Sequence, residues 1–454
     1  MTRTKAKGGT FPVFVIALSL AICGFYSARS AFAQVAGARL TGGVSDPSGA
    51  AIPGASVSIK NTATGVVHNV TTDSAGLYSV PNLLPGPYSV TVSAKGFSTL
   101  VRSGITLAVG QTLQLNFTLQ VGAVSQQVQV TGAPPLVQTA TSTVSAQVSG
   151  TTVRQLPLNG RDWTQLATLQ PGITAILTQA GNGVNAARGN RGFGNQLTAD
   201  GHRPNENIYR MDGISINDYS NGAPGSAIGV DLGVDAIQEF SVEETNYTAA
   251  YGMTSGGVIN AITKSGTNHI HGDAYEFLRN DALDAANFFE NFSNIPKAPF
   301  RRNQFGASIG GPIQKNKTFF FGDYEGFRQA LTFPFTNVVP TAAARQGILS
   351  TGTVTVNPLV KPYLAFWPLP NHPVTPGSNT GIFAFDAAQG YSENFVQTRI
   401  DHTFSEKDTM HGSYFYDSAP LTLPDSLDNW IAEVFTRRQM IEAEETHSFS
   451  PSLI

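Results

Sequence analysis

The sequence predicts a mainly β protein in three parts: an N-terminal β-sandwich, a central α+β domain, and the first strands of an antiparallel transmembrane β-barrel that is incomplete. Composition supports this prediction, because 13% of the residues are charged, 10% are aromatic and 46 are glycine. Aromatic residues are enriched in strands, and glycine is enriched in turns. The second observation is an alternation of apolar and polar residues late in the chain, which is typical of barrel walls.

The first residues have the pattern of a secretory signal, predicted over residues 1–33. Three basic residues among the first seven precede a mostly apolar run at 11–25, and residues 31–33 (Ala-Phe-Ala) fit a cleavage site. The run of about 15 residues is shorter than the roughly 20 that a spanning helix needs. A lipoprotein signal would place a small residue where Ile22 stands. The sequence therefore predicts an exported protein.

Cysteine content and charge exclude several classes of protein. Cys23 is the one cysteine of the chain and lies inside the predicted signal. The exported protein is therefore expected to lack disulfide bonds and thiolate chemistry. The signal holds four of the 28 Lys and Arg residues and none of the 31 acids, so the remainder carries a net charge of −7. This balance argues against a nucleic-acid partner, which would require a basic surface.

The pattern of short strand-like runs and turn residues at 35–121 predicts a small all-β domain of about seven strands. Short β-branched runs at 56–60, 88–94 and 112–119 are separated by clusters of turn residues. Glycines in these clusters allow positive φ, prolines fix φ, and aromatic residues supply packing area. The positions in question are Asp46, Gly49, Pro53-Gly54-Ala55, Asp73, Gly76, Tyr78, Pro85-Gly86, Tyr88 and Gly96-Phe97.

With these positions, the segment resembles the carboxypeptidase regulatory-like domain. The resemblance implies a transthyretin-like sandwich of the carbohydrate-binding-like fold group. It implies a fold and not an activity, because one fold serves many functions.

The central part of the chain begins with a predicted extended linker at 122–135, which ends in two prolines. A short helix is expected after residues 159–162 (Asn-Gly-Arg-Asp). Asp212-Gly213 lies between two alternating runs within 208–218, which is a strong signal for a β-hairpin. Two further strands are predicted at 234–244 and 256–264.

From residue 265 the sequence predicts aromatic-rich strands with two different faces. Within 395–404, alternate residues are apolar on one side and polar on the other, except for His402. The turns at 314–317 and 405–408 are short, whereas 329–391 is expected to be long and irregular. This asymmetry favours a barrel over the alternative, a secreted β-sandwich. The apolar face holds Val396, Thr398, Ile400 and Phe404, and the polar face holds Gln397, Arg399, Asp401 and Thr403.

Phe319, Phe321, Asp323 and Glu325 share one side of a neighbouring strand. Our interpretation is that the aromatic residues lie at the membrane interface and the acids in the lumen.

Several short motifs follow the sandwich in a fixed order. They are Leu156 to Arg161, Tyr209 to Gly213, Tyr251-Gly252 with Gly256 to Asn260, Gly266 to Asn268 with His271-Gly272, Gly311 to Ile313 with Lys317 to Phe321, and Arg399 to His402. Together they resemble the TonB-dependent outer-membrane transporters of the Oar-like kind, which carry an N-terminal regulatory-like sandwich.

The resemblance implies a plug domain at 136–262 folded inside a barrel of about 22 strands. It also implies a location in the outer membrane. The sequence from 265 to 454 has room for about six to eight strands, and an unclosed sheet leaves bare edges. We therefore expect the N-terminal fragment of a longer transporter.

The resemblance further implies three partners: a periplasmic energy-transducing protein of the TonB type, outer-membrane lipid, and a carbohydrate, peptide or chelate ligand. An extended segment near the plug would add as a strand to the TonB-type protein through backbone hydrogen bonds. The alternative is a plain linker strand. The candidate TonB contact is Gln127, Val128, Gln129, Val130 and Thr131.

Glycine- and asparagine-rich loops of the plug supply the candidates for ligand binding. Guanidinium and amide groups recognise sugar hydroxyls and acidic ligands. The alternative is structural, with Arg188 and Arg191 pairing to acids of the barrel wall. The candidates are Arg188, Arg191, Arg203, Asn205 and Tyr219.

Other motifs receive no catalytic assignment. His269 and His271 are expected on one face of the first barrel strand, but a metal site needs a third ligand, so the sequence favours a lumen- or interface-facing pair. The G-x-G-x-x-A motif at 181–186 lacks the strand and helix of a dinucleotide site. The G-x-S-x-G motif at 306–310 lies inside a predicted strand, where no nucleophile elbow forms. No catalytic residue, cofactor or metal is predicted.

The sequence thus predicts a transporter without chemistry. The alternative is a surface protein that binds glycans or peptides in adhesion, and a third class is a secreted enzyme.

Overall fold

The computed structural model describes residues 37–122, 127–131, 143–176, 195–218, 221–252, 254–286, 288–293 and 296–449. The predicted signal and the motif at 181–186 lie outside these residues. The described parts form a two-sheet sandwich, a five-stranded mixed sheet and a six-stranded antiparallel sheet. Within these ranges, no helix is both long enough and apolar enough to span a membrane.

The N-terminal sandwich contains nine strands. They are β1 (Ala38–Ser45), β2 (Ser56–Asn61), β3 (Val67–Thr71), β4 (Leu77–Leu83), β5 (Gly86–Ser93), β6 (Thr99–Leu107), β7 (Thr112–Gln114), β8 (Phe117–Thr118) and β9 (Gln127–Thr131). One sheet has the order β4-β1-β7, with β8 also on β1, and the other has the order β3-β2-β5-β6-β9. Alternate residues such as Leu40, Val57 and Val90 are fully buried between the sheets, as the period of two requires.

Local chemistry explains the turns of the sandwich. The Asp46 carboxylate accepts backbone N–H bonds from Ser48 and Ala50, an arrangement that stabilises a turn. Gly76 adopts a φ of 72°, and an added Cβ would lie 2.8 Å from the Val44 carbonyl oxygen. Tyr78 and Tyr88 were expected to pack in the sandwich, and both rings are buried in its core.

The predicted linker includes a strand that joins the sandwich. Strand β9 pairs in parallel with β6, and Val128 lies opposite Leu100. The segment is extended, as expected, and its backbone is already hydrogen-bonded on one edge.

The central five-stranded sheet has the order β10-β15-β16-β13-β14. Its elements, with those beside it, are β10 (Val144–Ser149), α1 (Gly150–Gln155), a 3₁₀ helix (Trp163–Leu169), β11 (Ile173–Ile176), β12 (Gln196–Ala199), a 3₁₀ helix (Pro204–Glu206), β13 (Ile208–Met211), β14 (Ile214–Ser215), β15 (Ile237–Thr245), a 3₁₀ helix (Ala249–Tyr251) and β16 (Val258–Thr263). The expected hairpin is present, because β13 and β14 pair around Asp212 and Gly213, both at positive φ. Asp212-Gly213 thus has the geometry of a two-residue turn.

The six-stranded sheet has the order β17-β18-β19-β22-β23-β24. Its elements and its insertions are β17 (His271–Asn280), a 3₁₀ helix (Asp281–Leu283), α2 (Phe288–Ser293), β18 (Phe300–Gln314), β19 (Thr318–Pro340), α3 (Ala342–Arg345), β20 (Ile348–Leu349), β21 (Gly352–Thr353), α4 (Lys361–Leu364), β22 (Thr380–Ser405), β23 (Asp408–Pro424) and β24 (Ile431–His447). In the described part of the chain, β17 and β24 are the two edges of an open sheet.

Two expectations about this sheet are wrong in detail. The irregular segment was expected at 329–391, but β19 continues to Pro340 and pairs with β22 from Thr380 onward. The irregular part is therefore limited to residues 341–379. The first wall strand begins at His271, so His269 precedes the strand and does not share its face.

The two faces of β22 differ as the alternation predicts. Gln397 and Arg399 are buried, whereas Ile400 is 52% exposed. One expectation about β19 is wrong: Phe319 and Phe321 are buried on the same inner face as the acids, instead of lying at a membrane interface. The Phe321 ring lies 5.7 Å from the Lys264 ammonium, which accounts for an aromatic residue among charged groups.

Candidate functional site: the contact between the central sheet and the wall

The inner face of the six-stranded wall holds the central sheet through charged side chains. Arg399 of β22 donates to Asp212 Oδ1 at 2.9 Å and to Asp401 Oδ1 at 2.9 Å. Arg399 Nη1 also lies 3.2 Å from Thr263 Oγ1. All these groups are buried, so the guanidinium is enclosed by acceptors from both the wall and the central sheet.

Local structure orients Asp212 toward the wall. Its positive φ places it in the β13–β14 turn, and its carboxylate accepts the Thr263 N–H at 2.9 Å and the Thr263 hydroxyl at 2.6 Å. Ser265, just after β16, donates to Asp401 Oδ2 at 2.6 Å. The end of the central sheet is therefore fixed to β22 by several charge-assisted hydrogen bonds.

A second contact of the same kind involves Arg438 of β24. Its Nη2 atom donates to Asp231 Oδ1 at 2.8 Å and to Asp417 Oδ2 at 2.7 Å. Burial raises the pKa of the Asp231 carboxyl, although the neighbouring Arg438 acts in the opposite direction. The Tyr391 hydroxyl adds a hydrogen bond of 2.7 Å to Ser226 Oγ.

A third contact uses the predicted Leu156-to-Arg161 motif. Arg161 forms an ion pair with Asp235 and lies 3.6 Å from Glu325 Oε1 of β19. Its guanidinium stacks over the Tyr275 ring at 4.2 Å, which adds a cation–π interaction. Glu325 also accepts the Gly233 N–H at 2.9 Å.

Asp162, the next residue, caps the following 3₁₀ helix. Its carboxylate accepts the Thr164 N–H at 2.9 Å and a bond of 2.6 Å from the Asn195 amide. Burial, with the nearby Asp231 charge, raises the pKa of Asp162 to about 7.

These three contacts, which we call the Arg399, Arg438 and Arg161 anchors, define what the site can do. Each anchor places an arginine against carboxylates from both sides of the contact. Breaking one such buried pair leaves uncompensated charge and costs about 3–5 kcal/mol. The three anchors hold the central domain firmly against the wall.

The sandwich contacts both other parts. Val109 of the sandwich is fully buried against Ile262, and its N–H donates to the Glu239 carboxylate. Burial raises the pKa of Glu239 to about 7. On the wall side, Asn268 donates to the Thr64 carbonyl at 2.6 Å, and the Asn82 amide donates to Glu444 Oε1 at 2.6 Å.

The structure does not gather the predicted site residues into one place. Arg203, the N-cap of the 3₁₀ helix before β13, and Asn205, within that helix, are both exposed. They lie at the opposite end of β13 from Asp212. Arg188, Arg191 and Tyr219 lie outside the described residues.

The other predicted positions are found elsewhere in the fold. Gln127–Thr131 forms β9 on the sandwich edge. His269 and His271 are both exposed, and His271 Nδ1 lies 3.0 Å from the His269 carbonyl oxygen.

Sequence reasoning missed most of the anchors. It placed Arg399 and Asp401 on the inner face and Asp212 in the hairpin but did not connect them. Asp231, Asp235 and Arg438 received no role. One signal was present: an arginine at an inward position of a wall strand requires a buried acidic partner.

Comparison with known protein families supports this architecture. Residues 262–454 match the outer membrane beta barrel domain, and residues 39–120 match the carboxypeptidase regulatory-like domain. The chain therefore combines a segment similar to an outer-membrane β-barrel domain, whose open sheet contacts the central domain, with a preceding segment similar to a carboxypeptidase regulatory-like domain.

The particular relationship is to the TonB-dependent transporter Oar of Myxococcus xanthus, of which this chain is a homologue. The two are 28% identical over 267 residues, covering 56% of this chain and 23% of that protein. The chain thus spans about a quarter of that relative's length.

Solved structures that match part of this chain include the outer membrane transporter YddB from Escherichia coli, with a TM-score of 0.45 and 11% identity over 67% of this chain and 37% of that chain. Another is the siderophore receptor PirA from Acinetobacter baumannii, with a TM-score of 0.32 and 16% identity over 66% of this chain and 44% of that chain.

Proposed function

We propose that this chain is the N-terminal portion of a TonB-dependent outer-membrane receptor that imports an oligosaccharide, a peptide or a chelate without chemical change. The observation that carries the proposal is the buried Arg399–Asp212 pair, because it fixes the central domain to the inner face of the wall, as a plug inside a barrel requires. Homology to a TonB-dependent transporter supports the same function.

In this proposal, each part of the chain has a task. Residues 1–33 direct export and are removed. Residues 136–262 act as the plug, and residues 265–454 begin the wall. The sandwich at 35–121 lies on the periplasmic side, where barrels have their short turns, since it contacts the turn at Asn316 through Asn268.

The linker at 122–135 provides the contact for the energy-transducing protein. Residues Gln127–Thr131 would pair with a strand of a TonB-type protein by β-augmentation. Strand β9 is the outermost strand of its sheet among the described residues, so its second edge is available. Arg203 and Asn205, with Arg188, Arg191 and Tyr219, are the proposed contacts for the ligand.

The test is uptake by cells that express the complete gene. Oligosaccharide, peptide and metal-chelate mixtures would be supplied, and their loss from the medium would be followed by mass spectrometry with and without the TonB-type protein. The expected result is loss of one class that requires the partner, with the intact ligand recovered inside the cell.

Two proline variants test whether uptake requires the proposed TonB contact. Replacing Val128 with proline (V128P) removes a backbone donor in the proposed TonB contact and should abolish uptake, while V121P, outside that segment, should retain it. Ligand retained at the surface without uptake, and independent of the partner, would instead establish a surface-binding protein. Recovery of cleaved ligand would indicate an enzyme.

A further inference from the structure

A group of potential metal ligands lies on the inner face of the wall, next to the sandwich. His411 belongs to β23, and Glu442 and Glu444 belong to β24. In the antiparallel register, His411 lies opposite Glu444. Glu442 and Glu444 are two residues apart on one strand, so all three side chains project from the same face. Strand pairing, and not a chance meeting of loops, brings these groups together.

The distances suit a single cation. One nitrogen or oxygen atom of each residue lies within 4.8 Å of the others, and His411 Nε2 lies 3.3 Å from Glu442 Oε1. Ligands held about 2.1 Å from a tetrahedral zinc ion are separated by about 3.4 Å. The Ser413 hydroxyl donates to the second Glu442 oxygen at 3.0 Å, which orients the carboxylate as an outer hydrogen bond does in metal sites.

Charge balance gives an independent argument for a divalent cation. A cavity of about 90 Å³ is lined by His411 and Glu444, together with Asp212, Asp401 and Arg399. Arg399 is already bound to Asp212 and Asp401. Arg399 is the single Lys or Arg among the described residues that line the cavity, and the lining holds three carboxylates, those of Asp212, Asp401 and Glu444. Histidines aside, the lining therefore carries an excess of two negative charges when these groups are ionised. Buried carboxylates without compensation are unfavourable, and a divalent cation would neutralise this excess.

We propose that His411, Glu442 and Glu444 form a binding site for a divalent transition metal, with zinc the ion that this ligand set fits best. Imidazole nitrogen with two carboxylate oxygens is a donor set that zinc accepts, leaving a fourth position for water from the cavity.

The position of the site predicts that a bound metal affects the contact between the sandwich and the wall. The Asn82 amide of the sandwich donates to Glu444 Oε1 at 2.6 Å and to Thr446 Oγ1 at 2.7 Å. A metal bound to Glu444 would fix the acceptor of this contact, so zinc should strengthen the attachment of the sandwich to the wall. A simple His411–Glu442 ion pair, the competing explanation, has no such dependence on metal.

The experiment uses the full chain purified in detergent and stripped with chelator. Zinc is added, free ion is removed by gel filtration, and bound zinc is measured by plasma mass spectrometry. The expected result is one zinc per chain in the wild type and at least a tenfold loss of affinity in H411Q and E442Q. With zinc, protease cleavage between the sandwich and the wall should slow.

The matched control is H447A, because Asp408, Glu445 and His447 form a second candidate group at the nearby turn. Retention of zinc in H447A and its loss in H411Q support the proposal. Absence of zinc from the wild type, or loss of zinc in H447A alone, overturns it. If the far-ultraviolet circular dichroism of H411Q or E442Q shows loss of β structure, E444Q is used in place of that variant. Glu444 is partly exposed, and glutamine preserves the shape of its side chain.

Discussion

Arg399 and Asp212, which lie 187 residues apart in the sequence, form a hydrogen bond of 2.9 Å in which both side chains are almost completely buried. The arginine belongs to the wall, and the aspartate belongs to the tight β13–β14 turn of the central sheet. Because neither charge has access to bulk water, each depends on the other for solvation.

Replacing Arg399 with methionine should therefore destabilise the protein. We expect the free energy of unfolding to fall by about 3–5 kcal/mol, because Asp212 and Asp401 lose their buried counter-ion. Urea titration of the detergent-solubilised chain measures this change. The control is R437M on β24, where the arginine is exposed and the change should stay within about 0.5 kcal/mol. Equal losses in the two variants would contradict the central role of Arg399.

Replacement of Trp163 tests the packing of the central domain. Its ring is fully buried and meets Phe240 edge-on, with 5.2 Å between ring centroids. W163A should lower the free energy of unfolding by about 3–5 kcal/mol, because it removes apolar contacts and leaves a cavity. W430A removes the same side chain from a position that is 61% exposed. A loss in W430A as large as that in W163A would show that burial of Trp163 is not the cause.

Glu239 makes stability depend on pH. Burial raises the pKa of its carboxyl from the ordinary value of 4.5 to about 7. Between these values the folded chain keeps a proton that the unfolded chain has lost, so the unfolded state binds fewer protons and the free energy of unfolding falls as pH rises. The contribution is fully present below about pH 4.5 and is lost above about pH 7.

Urea titrations at several pH values check this dependence, with E239Q as the comparison. Glutamine cannot ionise, so the decline with pH should be shallower in E239Q than in the wild type. An unchanged slope would assign the decline to other groups, of which Asp162 is the first candidate because burial raises its pKa to about 7 as well.

Gly233 allows backbone strain to be separated from steric overlap. Its φ is 99°, and an added Cβ would lie 2.5 Å from the Phe395 ring, whereas Gly201 has a φ of 80° with open space around it. G201A should cost about 1–2 kcal/mol through left-handed backbone strain. G233A should cost about 1–3 kcal/mol more through overpacking. Equal free energies of unfolding for both variants would rule out the contact between Gly233 and the wall.

The pairing of β9 with β6 can be trapped chemically. Leu100 and Val128 are registered partners, and neighbouring strands lie within the distance that a disulfide bond spans. The double variant L100C/V128C should lose its free thiols under mild oxidation. L100C/V67C is the control, because β3 lies at the other edge of the sheet. Persistent free thiols in L100C/V128C would show that β9 is not paired.

The alternation of residues was enough to predict which side of β22 faces inward, because side chains in a strand alternate strictly. It could not predict the partner of Arg399, since register between distant strands depends on packing that no local pattern contains. Asp231 and Arg438, which lie 207 residues apart in the sequence, illustrate the same limit.

The sequence does contain a signal for the full length of β19 and β22. Phe333 and Phe335, like Phe383 and Phe385, repeat at the strand period, and the rings of Phe335 and Phe385 stack at 5.9 Å. Pro334 is a contrary local signal, because proline cannot donate to a ladder. The pattern of aromatic residues proved to be the better signal.

Strand β22 contains 26 residues and β19 contains 23. At about 3.3 Å per residue and a tilt of about 45°, such strands rise roughly 55–60 Å. The hydrocarbon layer is about 30 Å thick, so about half of this hairpin should stand in water beyond the lipid. In the proposed outer-membrane orientation, molecules that approach from outside would therefore first meet a stiff, hydrogen-bonded ribbon that carries the segment 341–379 at its tip.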